Sequence, residues 1–306
     1  MFLVVEQVLN GVQLGVMLFL MAAGLTLIFG IMNVINLAHG SLYMVGAYVA
    51  AVTFAASGSF LLGLVAALAA AAGVGLALEI VVFRTLYGRD HLDQVLATFG
   101  LILFFNEAVR MLWGRTALYT RVPDFLNGRV ELLPGAPYPV YRLAIIAVGL
   151  AVASGLYLLI VRTRLGMLIR AGAANRVMLG ALGVNVTLLY TLVFVLGAAL
   201  AALAGVMAGP IFTVESGMGE SVLISAFVVI VIGGIGSIRG AFVAALLVGV
   251  IDTLGRSFMT DTLRLFLAPS TARVIGPALA SMTIYLLMAI VLAVRPAGLF
   301  PAKGRA

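Results

Sequence analysis

Few residues in this chain could make or break a covalent bond. It has no cysteine, which excludes thiol catalysis and any thiolate metal site. His39 and His91 are too far apart for an H-E-x-x-H motif or any other zinc pair at helical spacing. The single lysine is Lys303, so no Walker A phosphate loop can be built. The glycines from Gly233 to Gly240 have the wrong spacing for a dinucleotide fingerprint and no alternating strand–helix context. A serine nucleophile inside the apolar runs would need a basic partner, and none stands at a recognisable distance.

Three acids stand in or beside apolar runs, where an ion-coupled carrier would place them: Glu79, Glu107 and Asp252. Glu107 precedes Arg110 by three residues and Asp252 precedes Arg256 by four, so each pair shares a helix face. The expectation is structural ion pairing near helix ends.

What remains is the chemistry of passage and docking. The run Gly30-Ile31-Met32-Asn33-Val34-Ile35-Asn36-Leu37-Ala38-His39-Gly40-Ser41 sets amides, an imidazole and a hydroxyl into an otherwise charge-free stretch. Unsatisfied polar groups are costly in lipid, so Asn33, Asn36, His39 and Ser41 must face protein or water. They form either a short turn between two spans or a broken helix lining a solute pathway. A second interruption, Gly233-Gly234-Ile235-Gly236-Ser237-Ile238-Arg239-Gly240, permits a sharp break and close helix approach, so Gly233, Gly234 and Gly236 join the candidate pathway. A third segment, Thr163 to Asn185, alternates small residues with Arg164, Arg170 and Arg176. It reads as a short surface helix with a glycine stop, serving either as a basic loop or as a docking helix for a partner.

The elements that hold these residues follow from composition. Of 306 residues, 64% are hydrophobic and 9% charged, with a mean hydropathy of +1.23. A soluble domain carries about 25% charge, so lipid is the expected solvent. The net charge of +7 resides in scattered arginines, not in the clustered basic face that nucleic acid requires. No secretory signal pattern is visible, and the first apolar run is expected to remain as an anchor. Spans are expected near residues 8–30, 37–56, 60–82, 95–113, 140–161, 187–209, 241–259 and 274–294. The apolar run 221–234 is short for a span, which suits a re-entrant or protein-buried helix. The fold class is therefore all-α: a polytopic membrane helix bundle of about eight to nine transmembrane helices, in one domain over 1–306.

Between the fourth and fifth spans, 114–139 is proline- and tyrosine-rich and predicts an ordered extramembrane loop. The arginines of 162–176 have no acid among them, which places that segment in the cytoplasm. Counting spans outward puts 84–93 and the tail (Arg295, Lys303, Arg305) inside, and the amino terminus and 114–139 outside. The outer loop either docks a periplasmic protein or merely caps the bundle.

Four segments carry a resemblance: "GIMNVINLAHGSLYMVGAYVA", "TRLGMLIRAGAANRVMLGALGVN", "GGIGSIRGA" and "VRPAGLF". In this order the chain resembles bacterial ABC permeases for branched-chain amino acids, specifically the LivH-type subunit. Urea or short-amide permeases of the same superfamily are the nearest alternative. An ion-coupled secondary transporter is the alternative from another class.

The resemblance implies an importer subunit of the bacterial inner membrane that performs no covalent chemistry and holds no cofactor. It implies a second, LivM-like permease, two cytoplasmic ATP-binding subunits and a periplasmic amino-acid-binding protein as partners. It also implies that 162–186 is the cytoplasmic coupling loop, with Gly166, Arg170, Ala171, Ala174, Asn175 and Gly180 near the ATPase surface. Gly172 stands where other ABC importers carry an acid.

Overall fold

The structure is a computed structural model that describes residues 2–133 and 136–301. Pro134, Lys303 and Arg305 lie outside the described residues.

Among the described residues, eleven α-helices make up the bundle, the short Arg84–Leu86 turn being counted with the third. The first four are α1 (Phe2–Met32), α2 (His39–Ser57), α3 (Phe60–Leu78) and α4 (His91–Trp113). A β-hairpin follows, β1 (Arg129–Leu133) and β2 (Ala136–Pro139), then α5 (Val140–Arg162), α6 (Arg164–Ala174) and α7 (Arg176–Ala181). The chain continues through α8 (Val186–Ala208), α9 (Met218–Gly233), α10 (Ile238–Leu263) and α11 (Pro269–Val294). Among the described residues, eight helices are long and apolar enough to cross a membrane; α9 is the shorter apolar helix.

The helices extend past the apolar runs because their polar ends are satisfied locally. α3 continues through a π-turn at Glu79–Phe83 into Arg84–Leu86, since Arg84 reaches back to Glu79. α1 stops at Met32 because Asn33 adopts a left-handed φ of 54° and returns its N–H to the Phe29 carbonyl at 3.0 Å. Asparagine tolerates that conformation better than other non-glycine residues, so it serves as the helix stop.

α1 is the most buried span and packs against α5, α8, α9 and α10. Lipid tails are as apolar as leucine, so the crossings depend on close backbone approach at small residues. Gly11 and Gly15 lie on α10: a Cβ at Gly11 would meet the Val250 Cα at 2.6 Å, and one at Gly15 the Ala245 carbonyl oxygen at 2.7 Å.

The connections gather at two ends. At one end the Tyr190 hydroxyl at the start of α8 donates to the Ile31 carbonyl, Arg84 donates to Thr191, and Phe300 N–H donates to Gly233 O. The 84–90 turn, α6–α7 and the described tail therefore share that end. At the opposite end, Tyr138 and Arg142 both donate to Asn10 of α1. The described residues of the 114–139 loop there are ordered: Leu118 bridges to Val214, and Arg129–Pro139 and Val130–Tyr138 are paired in the hairpin.

Candidate functional site

The first interruption is a real break. Residues 33–38 leave helical geometry between α1 and α2. Asn33 is exposed, whereas Asn36 and His39 are fully buried and Ser41 nearly so. Among the described residues, no hydrogen-bond partner meets the Asn36 carboxamide. The His39 ring lies on Gly24 of α1: a Cβ added to Gly24 would stand 2.8 Å from His39 Nε2 and 2.7 Å from the Gly197 carbonyl oxygen. The break is tied down at Ile35, whose N–H donates to Gln94 Oε1, while the Gln94 amide donates to the Leu86 and Arg89 carbonyls. One glutamine thus joins the break to the 84–90 turn.

The second interruption packs against the first. Gly236 sits beside Gly30, within 3.3 Å of where a Gly30 Cβ would be. Gly233 lies so close to Gly240 that a Cβ would approach its backbone to 2.5 Å, and Gly234 is covered by the Phe300 carbonyl of the tail. These glycines occupy tight backbone contacts inside the chain.

A further convergence escaped sequence reasoning. α2 and α9 both begin inside the bundle, and their first turns cross at Gly40 and Gly219, where a Gly40 Cβ would be 2.5 Å from the Gly219 carbonyl oxygen. A narrow crevice lies over the crossing. Leu37, Met44 and Ile102 line its apolar side, and Ser41, Asn106 and Glu220 its polar side. Asn106 of α4 donates to Glu220 Oε1 at 2.6 Å and accepts from Gly217 N–H at 3.1 Å. One turn on, Arg110 donates to Ser216 at 3.0 Å and pairs with Glu107 at 2.6 Å. The signal available in the sequence was the polar Asn106, Glu107 and Arg110 inside an apolar span. Their partners more than a hundred residues away gave none.

The remaining acids in the spans are held in place. Glu79 is fully buried and receives Arg84 at 3.3 Å, Tyr87 at 3.0 Å and Thr191 at 2.9 Å. Burial, followed by the Glu79 carboxylate, pushes the Tyr87 phenol up from its ordinary value. Asp252 pairs with Arg256 at 2.8 Å.

The arginine-rich segment forms two short helices, each with a side-chain cap. Thr163 accepts from Gly166 N–H, and Asn175 accepts from Met178 N–H. Gly166, Ile169 and Gly172 form the buried stripe of α6, and Gly166 is pressed on the Leu159 and Ile160 carbonyls at the end of α5. Arg170, Ala171, Ala174, Asn175 and Gly180 are exposed, alongside Met167, Val177, Met178 and Leu182. Of the six residues expected at a partner surface, five face outward and Gly166 faces α5.

Residues 7–293 match the family described as branched-chain amino acid transport system / permease component. The chain is 35% identical over 270 residues to the high-affinity branched-chain amino acid transport system permease protein BraD of Pseudomonas aeruginosa, covering 84% of this chain and 87% of that protein. It is 30% identical over 277 residues to the corresponding LivH protein of Escherichia coli K12, covering 83% and 87%. A LivH protein of Methanocaldococcus jannaschii is 27% identical over 256 residues, covering 78% and 76%. No solved structure matches the chain significantly.

Proposed function

The chain belongs to the branched-chain amino acid transport permease family, and on that premise we propose that it is one membrane-spanning subunit of an ATP-driven importer of neutral, apolar amino acids. The observation that carries the reading is the family match along nearly the whole chain, residues 7–293. The motor resides on other polypeptides, two cytoplasmic ATP-binding subunits. A second permease completes the membrane unit, a periplasmic binding protein delivers the solute, and the whole stands in the bacterial inner membrane.

The exposed face of α6–α7 supports this division of labour. Arginines interleaved with Met167, Val177, Met178 and Leu182 give a surface both cationic and apolar, the composition of a protein-docking face. Arg170, Ala171, Ala174, Asn175 and Gly180 are its contact residues. Gly166 acts from beneath, joining α6 rigidly to α5 so that a push on the hairpin moves a span. The 114–139 loop, ordered by its hairpin and by the bridge to Val214, is the periplasmic docking surface.

An ion-coupled carrier needs an acid free to exchange its proton. Glu79, Glu107 and Asp252 instead each hold an arginine. Leucine uptake into vesicles containing the co-expressed permeases and ATPases, supplied with binding protein, tests the assignment. Uptake is expected to stop when the ATPases are inactivated and to be absent with this chain alone. Uphill transport by this chain alone in a proton gradient would overturn it.

A further inference from the structure

The crevice over the crossing of α2 and α9 lies at membrane depth, yet Glu220 on its polar side is exposed, while Ser41 is buried. Asn106 is seven residues before Trp113, the last residue of α4 (113 − 106 = 7), which is about 10 Å along the helix. Trp113 stacks on Tyr48 with ring centroids 5.2 Å apart and marks the interfacial end of the span. Glu220, Glu107 and Arg110 are nevertheless exposed, with Ser221 beside them. Lipid cannot satisfy a carboxylate and a guanidinium there, so this strip faces water or another protein.

From its lining we propose that the crevice is the contact site for a zwitterionic amino acid with an aliphatic side chain. The inference rests on the importer reading above and names the residues that read the solute. Asn106 occupies one oxygen of Glu220, and among the described residues the other accepts no protein hydrogen bond. That free oxygen is the partner for an α-ammonium group. Arg110, one turn along α4 and shared between Ser216 and Glu107, borders the crevice and supplies the opposite charge for an α-carboxylate. The positive end of the α9 dipole reinforces it. Leu37, Met44 and Ile102 meet the branched side chain. Urea or a short neutral amide would use neither charge and would leave the apolar wall unfilled, so the charge pattern separates the amino acid from those solutes.

The crevice is closed where Gly40 and Gly219 meet, with a Gly40 Cβ position only 2.5 Å from the Gly219 carbonyl oxygen. The solute therefore enters only as the two helix starts separate during transport. Both starts lie beside the 33–38 break, which is anchored by Gln94 to the 84–90 turn at the α6–α7 end of the bundle.

The absence of native cysteine allows a direct test, because an introduced thiol is the only one in this chain. In vesicles holding the complete transporter with ATP and binding protein, Ser41→Cys is expected to react with a charged, membrane-impermeant thiol reagent much faster than Leu286→Cys, an exposed apolar position on α11. Leucine should slow the Ser41→Cys reaction, while urea should not. Adding Glu220→Gln should raise the leucine concentration for half-protection about tenfold, the loss expected for one charge-assisted hydrogen bond. Glutamine can still accept from Asn106, so assembly of the complex is expected to persist.

The crevice assignment is overturned if Ser41→Cys reacts no faster than Leu286→Cys. It is also overturned if leucine fails to protect while the complex imports leucine, or if Glu220→Gln leaves half-protection unchanged. An unmodified complete transporter that imports no leucine removes the importer reading itself, and that arm is scored before any thiol is introduced.

Discussion

At the scale of single residues, the acids in the spans divide by whether their oxygens are occupied. Glu79 has no exposure and receives hydrogen bonds from Arg84, Tyr87 and Thr191. Removing one partner of a buried pair typically costs about 3–5 kcal/mol because the other charge is stranded. Arg84 is 41% exposed and can turn to water, so Glu79→Ala is expected at the lower end, roughly 3 kcal/mol. Glu79→Gln keeps the shape and most acceptor capacity and should cost about 1 kcal/mol. Thermal unfolding of the detergent-solubilised complex checks the order. Glu79→Gln should also retain ATP-driven leucine uptake; loss of uptake by a folded, assembled variant would mean that the carboxylate carries protons and not merely structure. The pairs Glu107–Arg110 and Asp252–Arg256 were legible as spacings, because helical periodicity alone brings i,i+3 and i,i+4 together. Thr191 was not legible as a partner of Glu79, because nothing local records a contact across 112 positions.

At the scale of elements, the long apolar runs foretold the spans and the low charge foretold lipid, since hydropathy at membrane length depends little on tertiary context. Three departures have local causes. α3 runs on past Arg84 because that arginine folds back onto Glu79. The 114–139 loop, expected to be ordered, holds a hairpin that its prolines did not announce, because Pro137 and Pro139 sit in a two-stranded ribbon where a missing N–H is tolerated. The glycines at the second interruption, expected to allow close approach, make it against Gly240, Phe300 and Gly30, partners that their spacing does not name. Small-residue spacing alone signals close approach but not what approaches. The crossing of α1 and α10 gives the sharpest test of such packing. A Cβ at Gly249 would overlap the backbone of Gly11 and Gly15, whereas one at Gly155 on α5 meets nothing within 4 Å. Gly249→Ala is therefore expected to abolish assembly or lower the melting temperature sharply, because backbone cannot move aside as a side chain can. Gly155→Ala should be neutral or stabilising by up to about 1 kcal/mol through helix propensity. Equal melting temperatures for the two variants would mean that α1 and α10 do not meet as described.

At the scale of the whole molecule, function depends on which end faces the cytoplasm. The structure puts the 84–90 turn, α6–α7 and the described tail at one end and the 114–139 loop at the other, but geometry alone is indifferent to turning the bundle over. Basic residues decide the matter only locally: the arginines of 162–176 are concentrated, while those elsewhere are spread over both ends. Tyr119 in the 114–139 loop is 84% exposed and Val177 on α7 is 76% exposed, so they offer accessible reporters at opposite ends. In intact bacterial cells treated with a membrane-impermeant thiol reagent that passes the outer membrane, Tyr119→Cys should label at once. Val177→Cys should label only after the inner membrane is opened. The reverse pattern would place the arginine-bearing hairpin outside, where no ATP-hydrolysing partner could grip it, and would remove the mechanical link from motor to solute. The expected pattern joins the docking face to the crevice through one connected frame: α6 pressed on α5 at Gly166, the 84–90 turn tied to the first break through Gln94, and the starts of α2 and α9 resting on each other at Gly40 and Gly219.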